Sequence, residues 1–194
     1  MRTIKCIFCA LFTIFMIAAC DNNTESDLNS DLQSSAIEQD VSNKSHTVTL
    51  PFKGKFTVMR AMDPVVIECG LQESMIGAGT LTHLGKMSTT MLFCVDLSDL
   101  SYSFLEDGAF VAANGDELYF RVDDGQILFG DYGYYQGYFN DEVVFTGGTG
   151  RFEGATGSIF TNAYVHSGTP GNESDPFHTD FSIIEGSITL NKGK

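Results

Sequence analysis

Residues 146–158 read TGGTGRFEGATGS, with five glycines in thirteen positions. A stretch this rich in glycine either cradles a phosphate or bends the chain. A P-loop requires GxxxxGK[ST], and the lysine of that pattern is absent here. Gly148, Gly150 and Gly154 are spaced GxGxxxG, one residue longer than the dinucleotide-binding pattern. The residues therefore disfavour a nucleotide site.

The segment that follows the glycines supports the structural alternative. Residues 156–166 read as a strand, so no helix N-terminus is available to bind an anion. We therefore predict a corner of β-structure. Phe152 drops into the end of a barrel there, while Arg151 lies over that ring or pairs with a nearby acid.

Short apolar runs and turn residues fill the rest of the sequence. Leu118, Phe120 and Val122 alternate with polar residues and share one face of a strand. Asn114-Gly115 is typical of a tight hairpin, since both residues tolerate positive φ. We predict strands at 46–50, 54–61, 64–68, 75–84, 89–96, 101–104, 108–112, 117–122, 127–129, 142–146, 157–166 and 179–190. Closure removes the edges of so many short strands, so the predicted fold is all-β, an antiparallel closed barrel.

Three blocks of sequence are similar to a known group of barrels. GGTGRFEGATGS at 147–158, GTLTHLGK at 79–86 and ANGDEL at 113–118 resemble segments of the allene oxide cyclase-like, or dirigent-like, β-barrels, including their bacterial secreted members. The resemblance implies about eight strands around a central cavity. Enzymes of the family cyclise or steer small hydrophobic molecules inside the barrel. The matching blocks lie in turns, so no catalytic residue is carried over.

The N-terminus predicts export and lipidation. A basic start and the apolar run 6–19 form a signal peptide over residues 1–19, too short to span a bilayer as a stable helix. Ile17-Ala18-Ala19-Cys20 resembles a bacterial lipobox, which makes Cys20 the lipidated residue. A lipid there anchors the protein to a membrane of the bacterial cell envelope, on the periplasmic side or the cell surface. The alternative is a soluble exported protein in which Cys20 is incidental.

Composition divides the remainder into a tether and a domain. Residues 20–45 are polar and acidic and predict a flexible tether, followed by one domain over residues 46–194. Removal of residues 1–19 leaves 9 Lys and Arg against 25 Asp and Glu, a net charge of −16. Such acidity excludes nucleic acid as a partner, because no basic patch is present to neutralise phosphates.

Two cysteines, Cys69 and Cys94, remain for the domain. Two free buried thiols are the common arrangement for such cysteines, and in an oxidising compartment the pair could instead form a disulfide. No CxxC pattern or Cys/His cluster occurs after residue 20. We therefore expect no metal site and no cofactor.

A tyrosine-rich stretch supplies most of the candidate contact residues. Tyr132, Tyr134, Tyr135 and Tyr138 lie in GDYGYYQGYFN at 130–140 and predict contacts with a ligand, a glycan or a partner, or else a hairpin whose rings cap the barrel mouth. His83 is a further candidate, with a turn or core histidine as its structural alternative.

Other titratable residues are placed less clearly by the sequence. His166 and His178 flank a long loop and are expected to be solvent-exposed. Glu68, Asp96 and Glu185 lie in or beside predicted strands, where a carboxylate facing the barrel interior could act as an acid or a base.

These observations leave three functions open. The first is a membrane-anchored barrel that binds a small hydrophobic molecule or a surface partner without catalysis. The second is a cyclase or isomerase acting on a small hydrophobic substrate in the cavity. The third is a module that contacts glycans through residues 130–140. A cavity containing a polar group with a perturbed pKa would favour the enzyme.

Overall fold

The computed structural model describes residues 46–192, whose regular structure is fourteen strands and one 3-10 turn. The strands are β1 (His46–Pro51), β2 (Gly54–Arg60), β3 (Val65–Ile67), β4 (Gly70–Leu81), β5 (Gly85–Val95), β6 (Ser101–Phe104), β7 (Gly108–Ala112), β8 (Glu117–Arg121), β9 (Gly125–Gln126), β10 (Leu128–Tyr132), β11 (Tyr135–Phe139), β12 (Glu142–Gly148), β13 (Thr156–His166) and β14 (His178–Lys192). Over residues 46–192, no helix has the length and apolar character needed to cross a bilayer. The predicted signal peptide, Cys20 and tether lie outside the described residues.

Eight of the strands form a closed antiparallel barrel. Their order is β14, β2, β4, β5, β7, β8, β12 and β13, and β13 pairs again with β14. The first part of β14 pairs with β2, and its last part pairs with β1. The predicted fold class is therefore confirmed.

Alternation along the strands builds the barrel interior. On β8, Leu118 and Phe120 are 0% and 1% exposed, whereas Tyr119 and Arg121 between and beyond them are only partly buried. This period of two matches the pattern read from the sequence, since successive side chains of a strand point to opposite faces.

The two ends of the barrel differ. One end, called the floor, is closed by large side chains that are 0–1% exposed: Phe52, Leu81, Leu118, Phe152 and Ile188. The opposite end, called the mouth, is where β2 ends and β14 begins. The short strands β3, β6 and β9 and the hairpin of β10 and β11 extend the wall at the mouth.

The glycine-rich stretch forms a corner at the floor. Gly148 lets β12 approach β8, because a Cβ at that position would lie 2.1 Å from the carbonyl oxygen of Glu117. A 3-10 turn over Gly150–Phe152 then places Phe152 in the floor. The Arg151 guanidinium lies 4.9 Å from the centre of the Phe152 ring, and its Nε lies 3.5 Å from Asp116 Oδ2. Both contacts proposed for this arginine are present.

Several predicted strand boundaries are wrong, and one of these errors affects the site. The strand predicted at 75–84 begins at Gly70 and ends at Leu81, because pairing with β3 and β5 extends it over polar residues. Residues 135–139 were not predicted as a strand, yet β11 pairs with both β10 and β13. The first correction brings Glu73 into the barrel interior.

Candidate functional site

The barrel encloses a cavity of about 320 Å³ near the mouth. Its wall is largely aromatic and aliphatic, and it includes side chains from the barrel strands and from the segments around the mouth. The aromatic lining residues are Phe56, Phe93, Tyr102, Phe104, Phe110, Phe120, Phe129, Phe139, Phe177 and Phe181. A volume of this size lies at the lower end of the range for small-molecule sites.

Stacked and edge-on rings fix much of the cavity wall. Phe56 stacks on Phe181 with ring centres 4.4 Å apart, and it meets Phe110 edge-on at 5.3 Å. Phe110 in turn stacks on Phe120 at 4.1 Å. Such contacts order the rings, because each restricts the rotation of its neighbours. The cavity is therefore a preformed apolar space.

An ion pair lies in the wall near the mouth. Arg60 donates from Nε to Glu73 Oε2 at 3.0 Å and from Nη2 to Glu73 Oε1 at 2.8 Å. The Glu73 side chain is 7% exposed and that of Arg60 is 34% exposed, so the carboxylate is the deeper partner. The Arg60 guanidinium also lies 3.9 Å from the centre of the Phe177 ring. Two charges are thus held in a fixed, mutually neutralising geometry.

A buried phenol forms a second polar pair at the cavity. Tyr102 donates a hydrogen bond from its hydroxyl to Asp141 Oδ2 at 2.8 Å. Burial, followed by the charge of Asp141, raises the pKa of Tyr102 well above its ordinary value. Burial also raises the pKa of Asp141. Tyr102 consequently keeps its proton and uses it in this bond.

The loop of residues 167–177, called the mouth loop, is fastened by one carboxylate. Asp175 accepts hydrogen bonds from Tyr134 Oη at 2.5 Å, from the ring Nε2 of His166 at 3.0 Å and from the hydroxyl of Thr169. These bonds, that from Thr169 foremost, lower the pKa of Asp175 to about 2. The bond to Asp175 raises the pKa of Tyr134 to about 12. Because Phe177 lines the cavity, this network positions part of the mouth.

His166 corrects a sequence expectation. Its ring is 5% exposed instead of lying in solvent, stacks on Tyr134 with centres 4.0 Å apart and has Nδ1 3.0 Å from the Tyr134 carbonyl oxygen. Alternation with Ala163 and Val165 points His166 to the outer face of the strand, where Tyr134 and Asp175 cover it, so the local pattern did not show its burial. His178 is half-buried, with Nδ1 2.9 Å from the Pro176 carbonyl oxygen.

Three of the four predicted contact tyrosines come together on the outer wall. Tyr132, Tyr135 and Tyr138 are joined there by Tyr164, which the sequence analysis did not single out, and their neighbouring ring centres lie 5.0–6.3 Å apart. Tyr138 and Tyr164 point outward because the residues beside them in the register, such as Phe139, point inward. We call these four residues the tyrosine patch. Tyr134 belongs to the mouth-loop network, and its ring meets that of Tyr135 edge-on with centres 5.1 Å apart.

The remaining candidates lie apart from the cavity wall. His83 occupies the turn between β4 and β5 at the floor, with a positive φ of 66° and Nε2 2.9 Å from the Pro51 carbonyl oxygen. Glu68, Asp96 and Glu185 are exposed. The carboxylate that faces the interior is Glu73. It was not among the predicted residues because the strand was predicted to start at residue 75, five residues later than its start at Gly70.

Two further observations concern the cysteines and the possible metal ligands. Cys69 and Cys94 are joined by a disulfide, with Cα atoms 6.2 Å apart, which ties the start of β4 to β5 beside the mouth. Among residues 46–192 there is no group of three or more His, Cys, Asp and Glu side chains arranged to hold a metal ion.

Comparison with known proteins gives one distant likeness. No family model and no curated protein matches the chain. Among solved structures, a pterocarpan synthase dirigent protein is similar over 76% of this chain and 88% of its own, at 14% identity and a TM-score of 0.43. This likeness carries over neither a ligand nor a reaction, and the barrel is established by its own strand pairing.

Proposed function

We propose that the protein is a membrane-anchored bacterial lipoprotein whose barrel binds a small hydrophobic molecule without converting it. The observation that carries the proposal is the preformed apolar cavity of about 320 Å³ that lies at the mouth. Burying an apolar ligand there removes both surfaces from water, which is the main source of affinity for such sites.

The polar groups of the wall support binding over proton transfer. Glu73 accepts two hydrogen bonds from Arg60, and the hydroxyl of Tyr102 donates a hydrogen bond to Asp141. A general acid or base must reach the proton of the substrate, and these groups are already engaged with each other.

Ligand binding is tested with the neutral fluorophore N-phenyl-1-naphthylamine. Ser167 lines the cavity at the mouth, and Ser167→Trp is expected to block entry and weaken binding at least tenfold. Ser88→Trp is the matched control, because Ser88 is exposed on the outer wall. Equal binding by both variants would contradict a ligand site in the cavity.

A cyclase or isomerase remains the alternative, and Tyr102 is the observation that favours it. A buried phenol with a raised pKa in an apolar cavity is a group of the kind found in active sites. Mass spectrometry of the ligand that co-purifies with the protein, before and after incubation, separates the two functions. A ligand whose structure changes in the wild type and not in Tyr102→Phe supports the enzyme.

Anchoring to the cell envelope is proposed from the sequence of residues 1–45. Lipid on Cys20 followed by a polar tether would hold the barrel at a membrane of the cell envelope, on its periplasmic side or at the cell surface. Cys20→Ala should move the protein from the membrane fraction to the soluble fraction and abolish labelling with a palmitate analogue. Continued sedimentation with membranes would contradict the anchor.

The tyrosine patch supports a second candidate function, contact with a neutral glycan. Two of its hydroxyls donate hydrogen bonds, Tyr135 to Asp180 and Tyr138 to Asn162. Amphipathic rings beside acid and amide groups suit sugars. Tyr164→Ala should reduce retention on immobilised neutral polysaccharide. Tyr119→Ala, on β8 outside the patch, is the control. Retention that is equal in both variants would remove this candidate.

A further inference from the structure

The charges in the cavity wall restrict which ligands it can accept. Among the described lining residues, Arg60 and Glu73 are the two that carry charge. Their bidentate pairing makes the wall electrically neutral overall. The other polar lining groups are hydroxyls, of which Thr161 and Thr179 are 1% and 4% exposed. A ligand therefore meets no unpaired charge inside the barrel.

A carboxylate ligand would be penalised twice. It could pair with Arg60 only by competing with Glu73, whose side chain is 7% exposed and would lose its counter-ion in a poorly hydrated place. If it left the pair intact, it would lie buried beside a like charge. Both arrangements cost free energy that an uncharged ligand of the same skeleton does not spend.

Arg60 retains the capacity to recognise an uncharged polar group. Its Nε and Nη2 are used by Glu73, while Nη1 makes no hydrogen bond to any residue of the described part of the chain. A guanidinium N–H at the mouth donates readily to a carbonyl, ether or hydroxyl oxygen. The aromatic wall beyond it suits a flat hydrophobic body.

We propose that Glu73 sets the charge selectivity of the cavity: by neutralising Arg60, it makes the site take uncharged hydrophobic molecules with an oxygen acceptor near the mouth, and reject carboxylates. This inference rests on the proposed ligand-binding function and names the ligand class of that same cavity.

The test uses two probes of the same skeleton, 2-acetylnaphthalene and 2-naphthoate, in calorimetric titrations at pH 7.5. The wild type is expected to bind the ketone at least about tenfold more tightly than the carboxylate, because the latter must disrupt a buried ion pair. In Glu73→Gln the preference should reverse, since Arg60 is left with an uncompensated charge. The fold of each variant is checked by circular dichroism.

Two further variants identify which charge causes the change in probe preference. Arg60→Gln/Glu73→Gln removes both charges and should again favour the ketone, which would assign the reversal in Glu73→Gln to the unpaired Arg60. A double variant that prefers the carboxylate would contradict this assignment, and the wild-type preference keeps the proposal falsifiable if Glu73→Gln is unstable. Glu68→Gln, an exposed acid beside β3, should leave the probe preference unchanged.

The titrations test the ligand-binding function of the cavity and the role of Glu73 separately. Binding of neither probe to any variant would contradict the proposed ligand-binding function itself. Equal affinity of the wild type for both probes, or a preference for the ketone that persists in folded Glu73→Gln, would overturn the role of Glu73 while leaving the cavity as a ligand site.

Discussion

Asp175 shows how much of the mouth depends on a single residue. Side chains from β13, from the β10–β11 turn and from the mouth loop donate to its two oxygens. The pKa of about 2, below the ordinary value of 3.8, means that the folded state favours the ionised carboxylate. Its contribution to stability is therefore present above pH 3.8 and is lost as the pH falls towards 2.

Asp175→Asn should lower the melting temperature and speed proteolytic cleavage within the mouth loop. The difference in melting temperature from the wild type should be largest above about pH 4 and shrink towards pH 2, where the wild-type carboxylate also becomes protonated. Asp131→Asn is the control, since Asp131 accepts a local bond from the backbone N–H of Gly133 at 3.0 Å. A difference that does not vary with pH would argue against this role.

For individual residues, the sequence predicted that a carboxylate could face the barrel interior, but it did not predict which one. It indicated that a carboxylate could face the interior and named Glu68, Asp96 and Glu185, but the inward carboxylate is Glu73. The polar run Gln72-Glu73-Ser74 hides the start of β4, and only pairing with β3 and β5 makes it a strand. Register across strands is tertiary information that one segment does not contain.

Among the elements, the glycine corner is defined by close backbone approach. Gly148→Ala would place a methyl group against the carbonyl oxygen of Glu117 and 2.7 Å from Phe152 Cβ. We expect a loss of about 2 kcal/mol in the free energy of unfolding, because neither neighbour can move without distorting the floor.

The control for this substitution is Gly130→Ala on β10. The nearest atoms to a Cβ there belong to the exposed Tyr132 ring, 3.2 Å away, which can shift aside. Its cost should stay below about 0.5 kcal/mol. Urea unfolding of both variants measures the two values, and similar losses would contradict the importance of close approach at the corner.

The disulfide between Cys69 and Cys94 also fixes one element against another. It closes a segment with a sequence separation of 25 residues and holds the β3–β4 turn against β5. Cys69→Ser/Cys94→Ser should lower the free energy of unfolding by about 3 kcal/mol. Reductant should bring the wild type to the midpoint of the variant and leave the variant unchanged. A wild type indifferent to reductant would show that the bridge does not stabilise the fold.

The β10–β11 hairpin was the structural alternative for residues 130–140, but the local sequence did not give its pairing partners. Its glycines and polar residues resemble a loop, and the apolar alternation that marks β8 is missing. The hairpin forms because β11 pairs with the C-terminal part of β13, near the mouth. Strand propensity depends strongly on such partners, so the tyrosines were recognised while their division between outer wall and mouth loop was not.

For the whole molecule, pairing of β1 with β14 brings the two ends of the described chain together. His46 is the register partner of Lys192 in the β1–β14 pair. A circular permutant that joins these positions through a short linker and opens at Asn114-Gly115 should fold and keep its ligand binding, since that turn lies outside the paired strands.

The matched permutant opens between Thr89 and Thr90, in the middle of β5, where both neighbouring strands are paired. It should not fold, as judged by circular dichroism and thermal melting. If it folded as well as the first permutant, closure of the barrel through β5 would not be essential to the structure.

The architecture as a whole was the most predictable level. Turn residues and alternation were enough to predict a closed antiparallel barrel, because both signals are local and repeated along the chain. A central cavity was expected only from the resemblance to known barrels, because its size and lining depend on how side-chain volumes from eight strands balance across the interior. One sequence specifies those side chains but not the distances between them.

The closed floor has a kinetic consequence. Phe52, Phe152 and Ile188 close the floor, so the cavity is a pocket with one closed end and not a channel through the barrel. An incoming molecule and the water it displaces must share the same passage, and the occupant must leave by reversing its path. If the cavity binds a ligand as proposed, the ligand must leave past the mouth loop that Asp175 fastens, and the hydrogen bonds that hold this loop would lengthen its residence time.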